Sequence, residues 1–249
     1  MEPEIRHFAT MEQLNQAVAV NLLAFSHECV RDYGLFSVAL AGGNTPLGLY
    51  ELLSTPQVTK KFPLFNTHFF WGDERFVPHD DPMSNVFTVK DTLLSLPELP
   101  LENIHPIQTQ NITPEESATA YEAELKAYFS QSELDLDIQN PNDPLFDVIL
   151  LGVGADGHTA SLFPGTDILN EQTRWVAPAS APENVVPRQR ITLTLPIINR
   201  SRHVYFIVSG KSKSAIVSKI LDTPEGTVGV YPAAQVRAQD RIIWFLHDI

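Results

Sequence analysis

Phe146-Asp147-Val148-Ile149-Leu150-Leu151-Gly152-Val153-Gly154-Ala155-Asp156-Gly157-His158-Thr159-Ala160-Ser161-Leu162-Phe163-Pro164 is an apolar run that breaks into glycines and then into polar side chains. Phe146 to Leu151 reads as a strand buried in a parallel sheet. Three glycines free the backbone at the strand's carboxyl end, the edge where open α/β sheets bind ligands. His158 follows there, flanked by hydroxyls, with Asp156 two residues earlier. An unperturbed imidazole titrates near pH ~6.5, which suits proton transfer at neutrality. His158 therefore occupies a position where a general base is useful.

The same plan recurs along the chain. Phe36 to Leu40 is a short apolar run ending at Gly42-Gly43-Asn44-Thr45, and Pro46 fits the first turn of a helix through Leu53. Thr67 to Trp71 reads as a strand ending at Gly72-Asp73-Glu74-Arg75, and His203 to Val208 as one ending at Ser209-Gly210-Lys211-Ser212-Lys213, with a helix from Gly210 to Leu221. Helical spacing runs through Met11 to Val30, where Leu14, Val18, Leu22, Phe25 and Cys29 share a face behind a Thr10 cap. Pro82 to Leu96 also reads as helix. Thr113-Pro114-Glu115-Glu116 carries cap, proline and glutamate in the order that starts a helix, which should run to about Phe129. Ser132 to Pro144 reads as an acidic surface loop. Arg190 to Leu195 alternates like a strand until Pro196, and Arg241 to Leu246 makes a last strand.

Strands separated by helices predict an α/β fold, a mostly parallel sheet with helices on both faces. No linker or low-complexity tract divides the 249 residues, so a single domain over 1–249 is expected. With parallel strands, all four glycine-ended loops meet at one edge.

Composition narrows the function. A hydrophobic share of 43% and a charged share of 19% are those of a globular protein. A net charge of −13 argues against nucleic acid as a partner, although a few cations can still build a local site for a small anion. The single cysteine, Cys29, excludes an intrachain disulfide and lies in a core-facing position. There is no signal-peptide pattern at the start and no apolar run of membrane-spanning length, so a cytoplasmic location without membrane contact is expected.

Each loop has a chemical reading and a plainer one. Gly42, Gly43, Asn44 and Thr45 suit close approach of a phosphate to a helix start, or else form an unliganded turn. In Asp73-Glu74-Arg75, the planar fork of Arg75 suits a phosphate and Asp73 a sugar hydroxyl or an orienting role; the alternative is a surface ion pair. Asp156 either holds the loop or holds the His158 ring. Lysines at a helix start oppose the helix dipole, which points Lys211 or Lys213 toward an anion; Arg188 and Arg190 could add positive charge. No metal-ligand spacing and no serine elbow occur. Gly152, Gly154 and Gly157 have dinucleotide-fingerprint spacing, but His158 and Phe163-Pro164 break the helix which that motif requires.

Together these segments resemble the glucosamine-6-phosphate isomerase/6-phosphogluconolactonase family, on its lactonase side. The likeness runs through Gly42-Gly43-x-Thr45-Pro46, Trp71-Gly72-Asp73-Glu74-Arg75, Ser84-Asn85, the Gly152 to Pro164 motif, Arg190-Ile191-Thr192-Leu193-Thr194, Gly210-x-x-Lys213 and Trp244. The resemblance implies a Rossmann-like fold of the deaminase/lactonase type and hydrolysis of a sugar-phosphate δ-lactone without metal or cofactor. It implies His158 as general base, with Asp73 and Asp156 in support. It implies Arg75 and Lys213 at the phosphate, alongside Gly42, Gly43, Asn44, Thr45, Gly157 and Arg190. A small phosphorylated lactone is then the partner, and the chain a monomer or weak homodimer. Ala41 and Asn44 stand where the family often has serines.

Two other readings differ in class. A glucosamine-6-phosphate deaminase shares the glycine loop, the acidic pair and Gly157-His158. This chain, however, continues Thr159-Ala160-Ser161-Leu162-Phe163-Pro164 and lacks the second carboxylate there, and Arg75 stands in place of a tyrosine. A non-catalytic sugar-phosphate sensor of this fold would carry a DNA-binding module, for which the chain has neither room nor basic charge.

Overall fold

The computed structural model describes residues 2–131, 136–140, 142–222 and 230–249. Of the loop expected at Ser132 to Pro144, residues 132–135 and 141 lie outside the described residues. The strands are β1 (Glu4–Phe8), β2 (Phe36–Leu40), β3 (Thr67–Trp71), β4 (Asp73–Arg75), β5 (Val148–Leu151), β6 (Val176–Ser180), β7 (Gln189–Leu193), β8 (His203–Ser209) and β9 (Arg241–His247). The helices are α1 (Met11–Tyr33), α2 (Leu47–Leu53), α3 (Pro56–Thr59), α4 (Asn85–Lys90), α5 (Pro114–Phe129), α6 (Leu195–Ile198) and α7 (Ser214–Leu221).

Among the described residues, six strands form a parallel sheet in the order β1-β9-β8-β5-β2-β3. Its interior strands β2 and β5 are buried along their whole length, which is why they read as unbroken apolar runs. From β2 the chain moves outward to β3, whereas from β5 it moves the other way, to β8 and β9. The reversal lies between β2 and β5, and a crevice opens at such a switch point beyond the carboxyl ends of the strands.

A second sheet, β4-β7-β6, is antiparallel. The two sheets join at Gly72, whose N–H donates to Leu40 of the parallel sheet at 3.0 Å and whose carbonyl accepts from Leu193 of the antiparallel one at 2.9 Å. Asp73 to Arg75 thus hang from the end of β3 on a separate surface that folds back over the crevice loops. The sequence reading has no counterpart for β1, β4 or β6. β1 and β6 are edge strands, one charged at alternate positions and one containing Pro178, both typical of strands that stay unpaired on one side.

The long helices follow their sequence signals. Thr10 accepts from the Gln13 N–H at 3.2 Å, and α1 ends at Gly34 with φ 81°. Thr113 and Glu116 form the reciprocal capping box at the start of α5; such caps are each worth ~1 kcal/mol. Tyr121 of α5 accepts from the Trp71 N–H at 2.9 Å and donates to the Trp71 carbonyl at 3.2 Å, covering part of the open edge of β3. The expected helix Pro82 to Leu96 is a correction: it is α4 alone, followed by a 3₁₀ turn at Leu93–Ser95. Ser84 caps α4 and so delays its start, and the Thr92 and Ser95 hydroxyls bond to backbone carbonyls three residues back, replacing helix continuation with local turns. Among the described residues no helix is long and apolar enough to cross a membrane.

Candidate active site

A cavity of about 250 Å³ opens at the switch point. Its walls come from the loop after β2 (Ala41 to Pro46), from Gly72, Asp73 and Arg75, from the loop after β5 (Gly152, Val153, Gly154, His158, Ala160), and from Lys213. Four distant segments thus converge on one space. Gly157, Asp156 and Arg190 are not among the lining residues.

The His158 loop is shaped by bonds within itself. The Gly154 N–H donates to the His158 carbonyl at 2.9 Å, the Gly157 N–H to the Gly154 carbonyl at 3.0 Å, and the Thr159 hydroxyl to the Gly152 carbonyl at 2.8 Å. Asp156 Oδ1 accepts from the His158 backbone N–H at 3.1 Å and lies 2.5 Å from His158 Nδ1. An ionised carboxylate only accepts, so Nδ1 carries the proton and Nε2 is left with the lone pair. The ring also packs on Phe163, with centroids 4.6 Å apart. Position 154 must be glycine, because a Cβ there would fall 2.1 Å from His158 Nδ1. Ala160, next but one after the histidine, holds φ 47°, a left-handed backbone that costs a non-glycine residue ~1–2 kcal/mol.

Asp73 ties three walls together. Its Oδ2 accepts from the Ser161 hydroxyl at 2.6 Å, and its Oδ1 and carbonyl accept from Asn85 Nδ2 at 3.1 and 2.7 Å. The Ser161 N–H in turn donates to Thr192 Oγ1 at 3.2 Å, and Thr192 is the cross-strand partner of Asp73. Both carboxylate oxygens are therefore engaged by the scaffold. Glu74 faces away and is fully buried. It accepts from the backbone N–H groups of Arg75, Asn85 and Val86 at 2.7, 2.7 and 3.0 Å and from the Ser84 hydroxyl at 2.8 Å. Burial pushes its pKa up, opposed by these donors. The surface ion pair considered for Asp73-Glu74-Arg75 is thus not what forms; the run is one buried cap, one wall carboxylate and one cavity cation.

Arg75 donates from Nη1 to the Met83 carbonyl at 2.6 Å and lines the cavity. Arg190 is its direct partner across β4 and β7, so both guanidiniums leave the same face of the small sheet. Arg190 is 6% exposed, its Nε has no partner, and burial holds its pKa down. Of the two lysines, Lys213 reaches the cavity, and burial lowers its pKa. Lys211 is exposed and sits 3.8 Å from Asp248. In the loop after β2, which lines the cavity, the backbone N–H groups of Gly43, Asn44 and Thr45 donate to no backbone carbonyl among the described residues.

Reading residues one loop at a time did not find Glu74, Asn85 or Ser161 as supports. Ser84-Asn85 and Ser161 entered only as parts of the family likeness. A serine cap ahead of α4 was the available local signal. Among the described residues, no group of three or more His, Cys, Asp or Glu side chains is placed to hold a metal ion.

An open parallel sheet with a cation-lined cavity at its switch point, and an oriented imidazole in that cavity, defines an α/β enzyme acting on a small anionic substrate. The chain belongs to the glucosamine-6-phosphate isomerase/6-phosphogluconolactonase family, whose profile matches residues 9–244. It is 36% identical to a 6-phosphogluconolactonase of Synechocystis sp. over 246 residues, 99% of this chain and 96% of that one. The crystal structure of 6-phosphogluconolactonase from Thermotoga maritima superimposes with a TM-score of 0.81 at 29% identity, covering 99% of this chain and 100% of that one. A monomeric glucosamine-6-phosphate deaminase, at 20% identity and a TM-score of 0.79, shares the fold.

Proposed function

We infer that this chain hydrolyses 6-phospho-D-glucono-1,5-lactone to 6-phosphogluconate, the lactonase step of the oxidative pentose phosphate pathway, with His158 as general base. The observation that carries the reading is the convergence of an Asp156-oriented imidazole and two cations, Arg75 and Lys213, on one cavity.

The chemistry follows from the groups present. A δ-lactone is a cyclic ester already open to attack by water. Nε2 of His158 takes a proton from water as the oxygen adds to the carbonyl carbon, a contribution typically worth ~10²–10⁴-fold. Backbone N–H groups lining the cavity near His158, or a neighbouring cation, stabilise the oxyanion that develops. The tetrahedral intermediate collapses by breaking the bond to the ring oxygen, which leaves with the proton that the imidazolium returns. Asp156 keeps the ring in the tautomer that does this. Asp73, with both oxygens engaged, holds the walls together.

The phosphate dianion binds at the other end, held by Arg75, Lys213 and the Gly42 to Thr45 loop. Arg190 contributes its charge from outside the lining, and Gly157, with its N–H and carbonyl both engaged, contributes by shaping the turn that presents His158. Binding energy from that remote group orients the lactone for attack. The lining draws on segments from Leu40 to Lys213, which supports residues 1–249 acting as one domain; a monomer or weak homodimer is the state we propose. One buried free thiol, Cys29, suits the reducing cytoplasm.

The test supplies fresh 6-phosphogluconolactone and times the appearance of 6-phosphogluconate, with spontaneous opening subtracted. Turnover that His158→Ala abolishes is expected. Ammonia release from glucosamine 6-phosphate, or tight binding of sugar phosphates without lactone turnover, would overturn the reading.

A further inference from the structure

The turn that presents His158 is braced by a segment far away in sequence. Gly157 has φ 86°, a left-handed backbone that glycine alone adopts without penalty. The ring of Tyr231 lies against it: a Cβ at position 157 would come within 2.7 Å of Tyr231 Cδ1 and 3.2 Å of Tyr231 Cβ. Two residues on, the Ala233 N–H donates to the Gly157 carbonyl at 3.1 Å. One short stretch therefore fixes both the α-carbon and the carbonyl of the residue that immediately precedes the base. Tyr231 itself is half-buried against the core and is absent from the cavity lining. The 3₁₀ turn at Pro232–Gln235 packs against α7, the helix that begins just after Lys213.

We propose that Tyr231 is a positioning residue for catalysis, setting the direction of the His158 imidazole through its hold on Gly157. This rests on the reading of His158 as general base. The ring of Tyr231 carries the effect and its hydroxyl does not, because the contact with Gly157 is made by Cβ and ring carbons. Small errors in the placement of a reacting group cost up to ~10²-fold in rate without touching remote binding groups. Loss of the ring thus lowers kcat and spares KM, which belongs to Arg75, Lys213 and the glycine loop.

The experiment is steady-state lactone hydrolysis by Tyr231→Phe, Tyr231→Ala, Gly157→Ala, the double variant Gly157→Ala/Tyr231→Ala, and His158→Ala. Tyr231→Phe is expected to stay within twofold of the parent. Tyr231→Ala is expected to lose about 5–50-fold in kcat with KM within twofold. Gly157→Ala strains the left-handed backbone and also drives a methyl group into the ring; the second part of its cost should vanish when the ring is already gone, so the two losses should not multiply fully. A Tyr231→Ala kcat within twofold of the parent, or losses that multiply fully, would overturn the proposal. Should Tyr231→Ala fail to fold, Tyr231→Leu takes its place in the same cycle, with the same two outcomes. His158→Ala with parental activity removes the general-base reading itself. An inactive His158→Ala beside an unimpaired Tyr231→Ala removes the positioning role alone.

Discussion

Replacing Asp156 with alanine separates orientation of the base from binding of the substrate. The Nδ1–Oδ1 contact is 2.5 Å, and the carboxylate touches the ring and the loop backbone without lining the cavity. A hydrogen bond to a charged group contributes ~1.5–3 kcal/mol. The two side chains remain 32% and 44% exposed, so water screens the pair and about half of that survives. Freeing the ring to rotate adds ~0.5–1 kcal/mol of ordering entropy. The total, ~1.3–2.5 kcal/mol, corresponds to roughly an 8–70-fold fall in kcat. KM should hold within twofold, because the phosphate end is untouched. Asp156→Asn keeps a neutral acceptor of about half the strength and should lose less, on the order of 3–10-fold. Initial rates across substrate concentration, with the uncatalysed rate subtracted, measure both quantities. A kcat within twofold of the parent for Asp156→Ala, or a loss confined to KM, would refute the reasoning.

Other expectations follow from the same contacts. Arg75→Ala removes one charge-assisted contact worth ~1.5–3 kcal/mol, so KM should rise on the order of 10–100-fold with kcat changed far less; an unmoved KM takes Arg75 out of binding. Lys213→Met should raise the melting temperature of the free protein while raising KM. Burial disfavours the Lys213 ammonium, a cost that the neutral methionine does not carry, so a fall in both quantities would contradict it. Burial holds His203 down to about 4, with Arg241 and Arg202 adding to the effect. An unfolded histidine titrates near pH ~6.5, so the stability present above that pH is lost as pH falls toward 4, up to ~2 kcal/mol by pH 5. His203→Phe keeps the ring stacked on Phe25, 3.8 Å between centroids, and should flatten the fall in urea midpoint between pH 7 and 5; an equally steep fall counts against it. Ala160→Gly relieves the left-handed backbone and should add ~0.5–1 kcal/mol, a rise in melting temperature of about 1–4 °C; a lower melting temperature would show that the strain is illusory.

The parallel sheet was legible because its inner strands are covered on both sides and so carry no polar interruptions: Phe36 to Leu40 and Val148 to Leu151 announce themselves. The capping signals at Thr10 and Thr113 were legible for a local reason, since the bonded partners lie three residues away. The antiparallel sheet was not. Asp73 to Arg75 becomes a strand only because Arg190 to Thr192 lies beside it, more than a hundred residues on, and no local preference of Asp-Glu-Arg points that way. The loops that reach the cavity could be named from their glycines and the family likeness. Which side chain faces inward could not. Lys213 and Lys211 are alike in sequence, and their difference is set by the 3₁₀ turn that follows Gly210. Tyr231 gives no sign in its own neighbourhood, because its partner, Gly157, lies far upstream in the chain.

The sheet order β1-β9-β8 has a consequence for how the chain assembles. β1 has its hydrogen-bonding partner in β9, a strand that follows it by more than two hundred residues and is made long after it. Glu4 to Phe8 must wait, edge exposed, until Ile243 to His247 arrives and offers them a ladder. Truncation within β9 would therefore cast β1 loose as well, and protease sensitivity near residue 8 should report on events near residue 245.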